Sequence, residues 1–425
     1  MPPPSRPAPA RPRPAHRAPV VLSTARLAHP DRTIAPGWVS VSGATIVGVG
    51  RPPPPPGTRV DLGDLLVSAG FVDLHVHGAA GCQVNGQDPA TVEASTNEVA
   101  AFHAAHGTTA LVATTVTDSL EILEASLAGI ARATRAGPGL GARVLGSHLE
   151  GPWLSPVRRG AHDRDQLLLP VPEVIDRLLA AAAGTLRIVT IAPELAGAHE
   201  AVRRLVAAGV VVAVGHTDAD LATARAGFAA GASHLTHCFN AMPPLVHRAP
   251  GPIGAALAEP GVSIEVIPDG IHVHPVMLGL LSRLAGDRLV AVTDASAACG
   301  MAEGRHRLGR SEVVLSDGAV TLASDRSTLA GSALTMERAV AGLVAAGVDL
   351  ALALYAATSA PAVALRTTRG AGLVAGAGAD LVVLGADLGV RATVVGGVPV
   401  HDPAGLFAGL LPPPPDDDPA RRRAQ

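Results

Sequence analysis

The chain has 425 residues, enough for two domains or for one large barrel with an attached module. Its net charge of −3 argues against nucleic acid as a partner, and its three cysteines provide no disulfide framework, which favours a reducing compartment. Hydrophobic residues make up 48% of the chain, but aromatic residues only 2%, so the core must consist of Ala, Val, Leu and Ile. The sequence contains no lysine, which excludes Schiff-base chemistry, a P-loop lysine and a metal bridge through a carbamylated lysine.

The two ends of the chain differ in composition from the rest. Residues 1–19 are rich in Pro and Arg and contain no apolar segment of the kind found in export signals, and residues 406–425 contain runs of Pro, Asp and Arg. Both segments are therefore predicted to be disordered tails. No run of about 18 uncharged apolar residues occurs, so we expect no membrane contact and a cytoplasmic location.

Short β-like segments occur near both ends of the chain. In residues 20–66, apolar runs alternate with turns, and residues 369–405 repeat this pattern. Because the ends of a folded chain often lie close together, these two segments are predicted to form one small β-sandwich domain.

The middle of the chain, residues 67–368, follows a different pattern. Apolar runs alternate with Ala-rich amphipathic segments, and there are eight such runs, at residues 67–76, 109–116, 143–149, 186–191, 210–214, 232–239, 262–267 and 289–292. Helix-like segments include residues 90–106, 119–136, 171–183, 196–208 and 219–230. Eight β/α alternations predict a (β/α)8 TIM barrel. A doubly wound α/β sheet is the alternative, but it normally binds its ligand in one crevice.

Histidine or acidic residues end or follow five of these runs, and the candidates are His75, His77, Glu150, His216, His237 and Asp294. A single His at a strand end is more often a loop or core residue, and a single Asp is often a helix cap. In a TIM barrel, however, catalytic groups lie at the carboxyl ends of the strands, so joint placement favours a shared metal site. Imidazole and carboxylate ligands suit zinc, iron or manganese, which can activate water for hydrolysis.

Several longer motifs carry a resemblance to a known family. They are GFVDLHVHG (70–78), HLEGPW (148–153), GAH (160–162), VGHTDA (214–219), THCFNAM (236–242), PDGIHV (268–273), VTDA (292–295) and LAGSALTM (329–336). With these motifs the chain resembles the amidohydrolase superfamily and, within it, the family of N-acetylglucosamine-6-phosphate deacetylases. The resemblance extends over most of residues 20–405.

The resemblance implies a metal centre and two catalytic residues. Glu150, His216 and His237 match the main metal site, and His75 and His77 match positions that hold a second metal in some family members. One or two divalent ions per chain are therefore expected, most often Zn²⁺, with Fe²⁺, Mn²⁺ and Co²⁺ as alternatives. Asp294 matches the general base and acid, and His162 matches a residue near the acetyl carbonyl.

The resemblance also implies substrate contacts and a partner. Arg248 and the main chain at Asn240 and Ala241 match the phosphate-binding positions, and the other implied substrate contacts are Ala161, His272, Leu329, Ala330, Gly331 and Ser332. In this family the phosphate-binding arginine can come from a neighbouring subunit, which implies a homodimer.

The implied reaction is hydrolysis of the acetamide of N-acetyl-D-glucosamine 6-phosphate to D-glucosamine 6-phosphate and acetate, in amino-sugar catabolism or cell-wall recycling. One alternative is a deacetylase for another N-acyl sugar, such as N-acetylgalactosamine 6-phosphate. The other is a protein that binds a sugar phosphate without catalysis, although Asp294 argues against it because a binding protein needs no proton shuttle.

Overall fold

The first five strands of the chain and the last three form one mixed sheet. The computed structural model describes residues 18–367 and 372–412, and we number its strands and helices in chain order. The strands of this sheet are β1 (Val20–Ala28), β2 (Ile34–Ser42), β3 (Thr45–Gly50), β4 (Thr58–Asp61), β5 (Leu66–Ala69), β19 (Leu381–Leu384), β20 (Val390–Val395) and β21 (Val398–His401). Strand β5 pairs in parallel with β1 and antiparallel with β19, so segments from both ends of the chain meet within the sheet.

The mixed sheet packs around an apolar core of its own, to which Leu22, Val39 and Leu381 belong. Phe407 and Leu411 are buried in the same core. Packed structure therefore continues beyond residue 405, where the sequence analysis ended the small domain and began a tail. The rest of the two predicted tails, residues 1–17 and 413–425, lies outside the described residues. The division of the chain into domains stays a prediction.

A second sheet contains eight parallel strands that pair in their order along the chain. They are β6 (Phe71–Val76), β9 (Thr108–Thr115), β10 (Arg143–Glu150), β11 (Leu186–Ile191), β12 (Val211–Val214), β13 (His234–Leu235), β14 (Ser263–Val266) and β15 (Leu289–Ala291). The sheet closes where Val76 bridges to Ala295, and the amide of Asp294 donates to the carbonyl oxygen of His75 over 2.9 Å. The predicted (β/α)8 barrel is thus confirmed.

Gly70 separates the mixed sheet from the barrel. The sequence analysis treated residues 67–76 as one run, but β5 and β6 belong to different sheets. A Cβ atom at position 70 would lie only 2.0 Å from the side chain of Thr109 in the neighbouring strand, so the chain can pass from one sheet to the other only with glycine here.

Helices connect the barrel strands and cover the outside of the barrel. They are α1 (Pro89–Ala105), α2 (Leu120–Ala136), α3 (Pro172–Ala182), α4 (Ala198–Ala207), α5 (Leu221–Ala229), α6 (Gly251–Ala258), α7 (Pro275–Ala285), α8 (Met336–Ala345), α9 (Leu350–Ala357) and α10 (Ser359–Ala364), with short 3₁₀ turns at Arg164–Gln166 and Gly286–Arg288. Side chains of Asp88, Asp220 and Asp349 cap three of them by accepting hydrogen bonds from main-chain amides in the first turn. In the part of the chain that the structure describes, no helix is both long and apolar enough to cross a membrane.

Two small sheets extend from the barrel strands at the end that carries the polar residues. A two-stranded ribbon, β7 (Gly78–Ala79) and β8 (Cys82–Gln83), follows β6. A three-stranded antiparallel sheet, β16 (Gly304–Leu308), β17 (Ser311–Ser316) and β18 (Ala319–Leu322), is inserted between β15 and α8. The sequence analysis did not identify this insertion.

Candidate active site

Strand β6 and the segment after β15 bring three polar side chains together. His75 and His77 are two residues apart, so their side chains point to the same face, and their Nε2 atoms are 3.2 Å apart. The Oδ1 atom of Asp294 lies 3.4 Å from Nε2 of His75 and 3.0 Å from Nε2 of His77. All three residues are buried, and we call them the first cluster.

A second cluster consists of Glu150, the last residue of β10, with His216 after β12 and His237 after β13. The Nε2 atom of His237 lies 3.0 Å from Nε2 of His216 and 3.1 Å from Oε1 of Glu150. Glu150 also contacts the first cluster, because its Oε1 lies 3.3 Å from Nε2 of His75 and its Oε2 lies 3.3 Å from Nε2 of His77. The carboxylate of Glu150 therefore lies between the histidines of the first cluster and those of the second, where it could bridge two ions.

The hydrogen-bond partners of the Nδ1 atoms indicate where two of the cluster histidines carry a proton. Nδ1 of His77 lies 2.9 Å from the carbonyl oxygen of Thr114, and Nδ1 of His216 lies 2.9 Å from that of Arg158. A carbonyl oxygen only accepts, so each Nδ1 carries a proton, and Nε2 is the inward nitrogen whose lone pair can bind a metal. This is the tautomer that a metal-binding histidine adopts when a partner holds its other nitrogen.

The charges of the two clusters also fit a cation. Burial lowers the pKa of His77, but Asp294 and Glu150 raise it overall to about 9. The two carboxylates therefore favour positive charge among the imidazole nitrogens. A divalent ion between facing Nε2 lone pairs and carboxylate oxygens would supply that charge, so the donor set suits zinc or a similar metal.

His162 differs from the cluster histidines in the direction of its N–H group. The main-chain amide of Thr117 donates to Nδ1 of His162 over 3.2 Å, so this nitrogen is an acceptor and the proton of the neutral ring is on Nε2. Burial lowers the pKa of His162 to about 4, which keeps the ring neutral near pH 7. Nε2 lies 3.4 Å from Oε2 of Glu150. In this tautomer His162 presents a hydrogen-bond donor to the site, although one of its ring nitrogens also lies within 4.8 Å of ligand atoms of Glu150 and His216.

Three of the strand-end residues have a left-handed backbone conformation. The φ angles are 45° at His216, 24° at His237 and 52° at Asp294. Such conformations cost non-glycine residues about 1–3 kcal/mol each, and they cluster at functional sites. These backbone conformations turn each side chain toward the common centre.

All cluster residues except His75 line a cavity of about 260 Å³. Thr117, Ala161, Asn240 and His272 line it as well. The inserted three-stranded sheet contributes Leu308 and further residues to the wall. Small-molecule pockets usually measure about 300–1,000 Å³, so a cavity slightly below this range suits a compact ligand such as a monosaccharide derivative.

Comparison with known proteins identifies the family. The sequence pattern of the amidohydrolase family matches residues 66–400, which is most of the chain. The chain belongs to the amidohydrolase family. The resemblance stated from the sequence motifs is thereby confirmed, and so is the expectation of a metal-dependent enzyme, because two buried groups of side chains could hold a metal ion. They are the first cluster and the group of Glu150, His162 and His216.

Amidohydrolases with named activities are similar over most of their length. The chain is 36% identical over 348 residues to N-acetylglucosamine-6-phosphate deacetylase of Vibrio furnissii, which covers 81% of this chain and 85% of that protein. It is 41% identical over 300 residues to N-acetylgalactosamine-6-phosphate deacetylase of Escherichia coli O157:H7, covering 70% and 77%. A mutant of N-acetyl-D-glucosamine-6-phosphate deacetylase from Mycobacterium smegmatis, solved with N-acetyl-D-glucosamine 6-phosphate, superposes with a TM-score of 0.84 at 41% identity, covering 90% of this chain and 99% of that one.

Most residues that the sequence analysis assigned to this amidohydrolase site lie together. Six of the implied substrate contacts line the cavity, namely Ala161, Asn240, Ala241, His272, Leu329 and Gly331. His272 is held by Asp269, whose Oδ2 lies 2.6 Å from Nδ1 of the ring. Their individual roles in binding stay predictions.

Three of the implied substrate contacts do not line the cavity. Ala330 and Ser332 are buried behind the wall, where the Ser332 hydroxyl donates to the carbonyl oxygen of Thr293 over 2.6 Å and its amide donates to the carbonyl oxygen of Asp294 over 2.7 Å. Ser332 thus holds the main chain at Asp294. Arg248 is exposed in the loop before α6 and is not among the residues that line the cavity.

Two buried acids that were not predicted from the sequence support the clusters. Oε2 of Glu265, in β14, lies 3.3 Å from Nδ1 of His75, and Oδ2 of Asp73, in β6, accepts from the Thr293 hydroxyl over 2.5 Å. Burial raises the pKa of Glu265, but His234 and His75 lower it overall to well below its usual range. A sequence signal for both existed, because each is an isolated acid inside an apolar run.

Proposed function

We propose that the protein hydrolyses the acetamide of N-acetyl-D-glucosamine 6-phosphate to D-glucosamine 6-phosphate and acetate. The observation that carries this proposal is the cavity itself, where buried histidines and acids able to hold metal include the carboxylate of Asp294 and lie beside the inward N–H group of His162. Metal, donor and carboxylate are the groups that amide hydrolysis requires. The substrate is inferred from the named activities of the similar proteins.

In the proposed reaction, residues of the chain polarise the acetyl carbonyl, transfer the proton and hold the substrate. When bound, the metal supplies a Lewis acid and an activated water molecule. The Nε2–H group of His162 donates to the acetyl carbonyl oxygen as that oxygen gains negative charge. Asp294 accepts a proton from the attacking water and returns it to the departing nitrogen, because an amine leaves poorly without that proton. Asn240, Ala241 and His272 hold the sugar phosphate at the other side of the cavity.

The metal is proposed to be Zn²⁺, with one or two ions per chain. Facing imidazole nitrogens and carboxylate oxygens are its usual ligands in catalytic sites, although Fe²⁺, Mn²⁺ and Co²⁺ accept the same donors. Elemental analysis of the purified protein measures both identity and number. A fully active protein with one equivalent, unaffected by His75→Ala, would contradict a second catalytic ion.

We further propose that the protein is a homodimer in which Arg248 of the partner subunit contacts the phosphate. Arg248 is exposed outside its own cavity, and the neighbouring Leu245 and Val246 are exposed apolar residues. Val276, Leu280 and Leu284 form a further exposed apolar stripe along one face of α7, spaced four residues apart. Exposed apolar surface of this kind is typical of protein–protein contacts.

Mixed dimers test this arrangement directly. Arg248→Ala subunits keep Asp294 but cannot contact the phosphate of the partner's substrate. Asp294→Asn subunits keep Arg248 but lack the carboxylate that transfers the proton. If Arg248 acts across the interface, co-refolding the two inactive proteins restores acetate release at one site per mixed dimer. If Arg248 acts within its own chain, mixing restores nothing, and if it has no role, Arg248→Ala is already active before mixing.

A substrate panel separates the proposed activity from its nearest alternative. The 41% identity to an N-acetylgalactosamine-6-phosphate deacetylase favours the galactose epimer as the second candidate. Acetate release from both epimers, measured as kcat/KM on metal-loaded protein, decides between them. A protein that binds either sugar phosphate but releases no acetate would instead be a binding protein.

We also propose that the protein works in the cytoplasm. Cys82, Cys238 and Cys299 are all free thiols, and two of them are buried. Free cysteines are typical of a reducing compartment.

A further inference from the structure

Glu265 is a charged residue inside the barrel, in β14, where its side chain is fully buried. Its Oε1 accepts a hydrogen bond from Nε2 of His234 over 2.8 Å. Its Oε2 lies 3.3 Å from Nδ1 of His75 and 3.2 Å from the main-chain amide nitrogen of His237. A buried carboxylate is stable only when donors satisfy it, and these three contacts supply them.

The two contacts of Oε2 connect Glu265 to both clusters. His75 of the first cluster is contacted through its ring, and His237 of the second is contacted through its main chain. His77 and His216 donate Nδ1–H to carbonyl oxygens, whereas the Nδ1–H of His75 points to a carboxylate, which is a stronger acceptor. Among the described residues, Nδ1 of His237 has no partner, so its ring is not held in this way.

We infer that Glu265 is a positioning residue that strengthens metal binding by both clusters. It holds the ring of His75 with Nε2 turned inward, and it fixes the strained turn at His237, where φ is 24°. Acids behind metal-binding histidines are typically worth about 10–100-fold in metal affinity. The inference rests on the proposed metal centre but not on the identity of the sugar.

The test is the affinity of chelator-stripped protein for Zn²⁺, measured by competition with a chromophoric chelator. Glu265→Gln keeps the size of the side chain but replaces an acceptor oxygen with a donor group. We expect about 10–100-fold weaker Zn²⁺ binding. Glu337→Gln is the matched control, because it breaks a His106–Glu337 contact of 2.6 Å outside the two clusters and should leave Zn²⁺ affinity unchanged. Equal affinity of Glu265→Gln and the unsubstituted protein would overturn the inference.

A double-substitution cycle separates positioning from a general loss of stability. If Glu265 acts through His75, then Glu265→Gln should weaken Zn²⁺ binding less in a His75→Ala background than in the unsubstituted protein. The same loss in both backgrounds would contradict that route. Should Glu265→Gln fail to fold, Glu265→Asp keeps the charge with a shorter reach, and unchanged affinity in that variant would also overturn the inference.

The measurement also distinguishes this inference from the proposed function. Failure of the unsubstituted protein to bind Zn²⁺ would overturn the metal centre and the inference together. Normal Zn²⁺ binding without acetate release would reject the proposed substrate alone, and the affinity comparison would still decide the role of Glu265.

Discussion

Asp294 combines a left-handed backbone with a buried carboxylate that faces His75 and His77. We expect Asp294→Asn to lower kcat for acetate release by about 10²–10⁴-fold, because the amide cannot accept and return a proton. KM should change little, because the substitution keeps the shape of the side chain.

Asp317→Asn is a close control for that substitution. Asp317 also has a positive φ, of 51°, but it is exposed in the turn between β17 and β18. Full activity in Asp317→Asn together with a loss in Asp294→Asn assigns the effect to chemistry rather than to the backbone. A fully active Asp294→Asn variant would contradict the proton-transfer role.

His162 is expected to act as a hydrogen-bond donor through Nε2. Removing one donor to a developing oxyanion typically costs about 10²–10³-fold in kcat, and we expect this loss for His162→Ala. His162→Gln can still place an N–H group in the cavity and should recover part of the rate. Steady-state kinetics with both variants checks this, and loss of bound metal in both would show instead that His162 is a ligand.

The candidate metal ligands were accessible from the sequence, but the main-chain groups that orient their rings were not. His75, His77 and Glu150 follow or end apolar runs, which is a visible pattern. The carbonyl oxygens of Thr114 and Arg158 orient two of the rings. Every residue has such a main-chain carbonyl, so the sequence does not indicate which ones take this role.

The inserted sheet of β16, β17 and β18 links the cavity wall to the barrel. Nε of Arg310 lies 3.0 Å from Oδ1 of the buried Asp118, and the amide of Gly309 donates to Oε1 of Gln83 over 2.8 Å. Leu308 and Arg310 also line the cavity. The position of this sheet therefore sets the shape of the site.

Breaking the contact with Asp118 should loosen this wall. We expect Arg310→Ala to raise KM for the sugar phosphate about tenfold, equivalent to about 1.4 kcal/mol, with a smaller effect on kcat. Arg305→Ala is the control, because Arg305 pairs with Glu312 over 2.7 Å in the same sheet but is exposed outside the cavity. Equal KM values for the two variants would contradict a role for the inserted sheet in substrate binding.

At the level of elements, the eight barrel strands and five helices were predicted to within a few residues, apart from the first and sixth runs. The sixth run was predicted as residues 232–239, but β13 is only His234–Leu235. The chain leaves the strand because His237 and Phe239 have φ angles of 24° and 79°. The inserted sheet was not predicted because β16, with the sequence GRHRL, contains mostly basic residues and few apolar ones. Such a composition is typical of a loop.

The core of the whole molecule follows from composition. With so few aromatic residues, the barrel core consists mainly of Val, Leu, Ile and Ala, as expected. The joining of the two chain ends in one sheet was also anticipated, because both ends carry β-like segments. The pairing of β5 with both β1 and β19 was not, because strand register depends on partners far apart in the chain.

The buried His103 should make the molecule less stable in mild acid. Burial lowers the pKa of His103 to about 4, below its value of about 6.5 in an unfolded chain, so unfolding takes up a proton between these pH values. His103 should therefore reduce the free energy of unfolding by about 2 kcal/mol as the pH falls from 7 to 5.

Urea unfolding at both pH values checks this expectation. His103→Gln should show a smaller loss of stability between pH 7 and pH 5 than the unsubstituted protein, whereas replacement of the exposed His247 by Gln should not change the loss. The same pH dependence in His103→Gln and the unsubstituted protein would contradict the account.

The most direct test of the proposed function is metal-dependent release of acetate from N-acetyl-D-glucosamine 6-phosphate. Protein stripped by a chelator should release none, and titration with Zn²⁺ should restore release until about one or two equivalents per chain are bound. Undiminished acetate release by metal-free protein would contradict a metal centre, and no release at any metal loading would contradict the deacetylase.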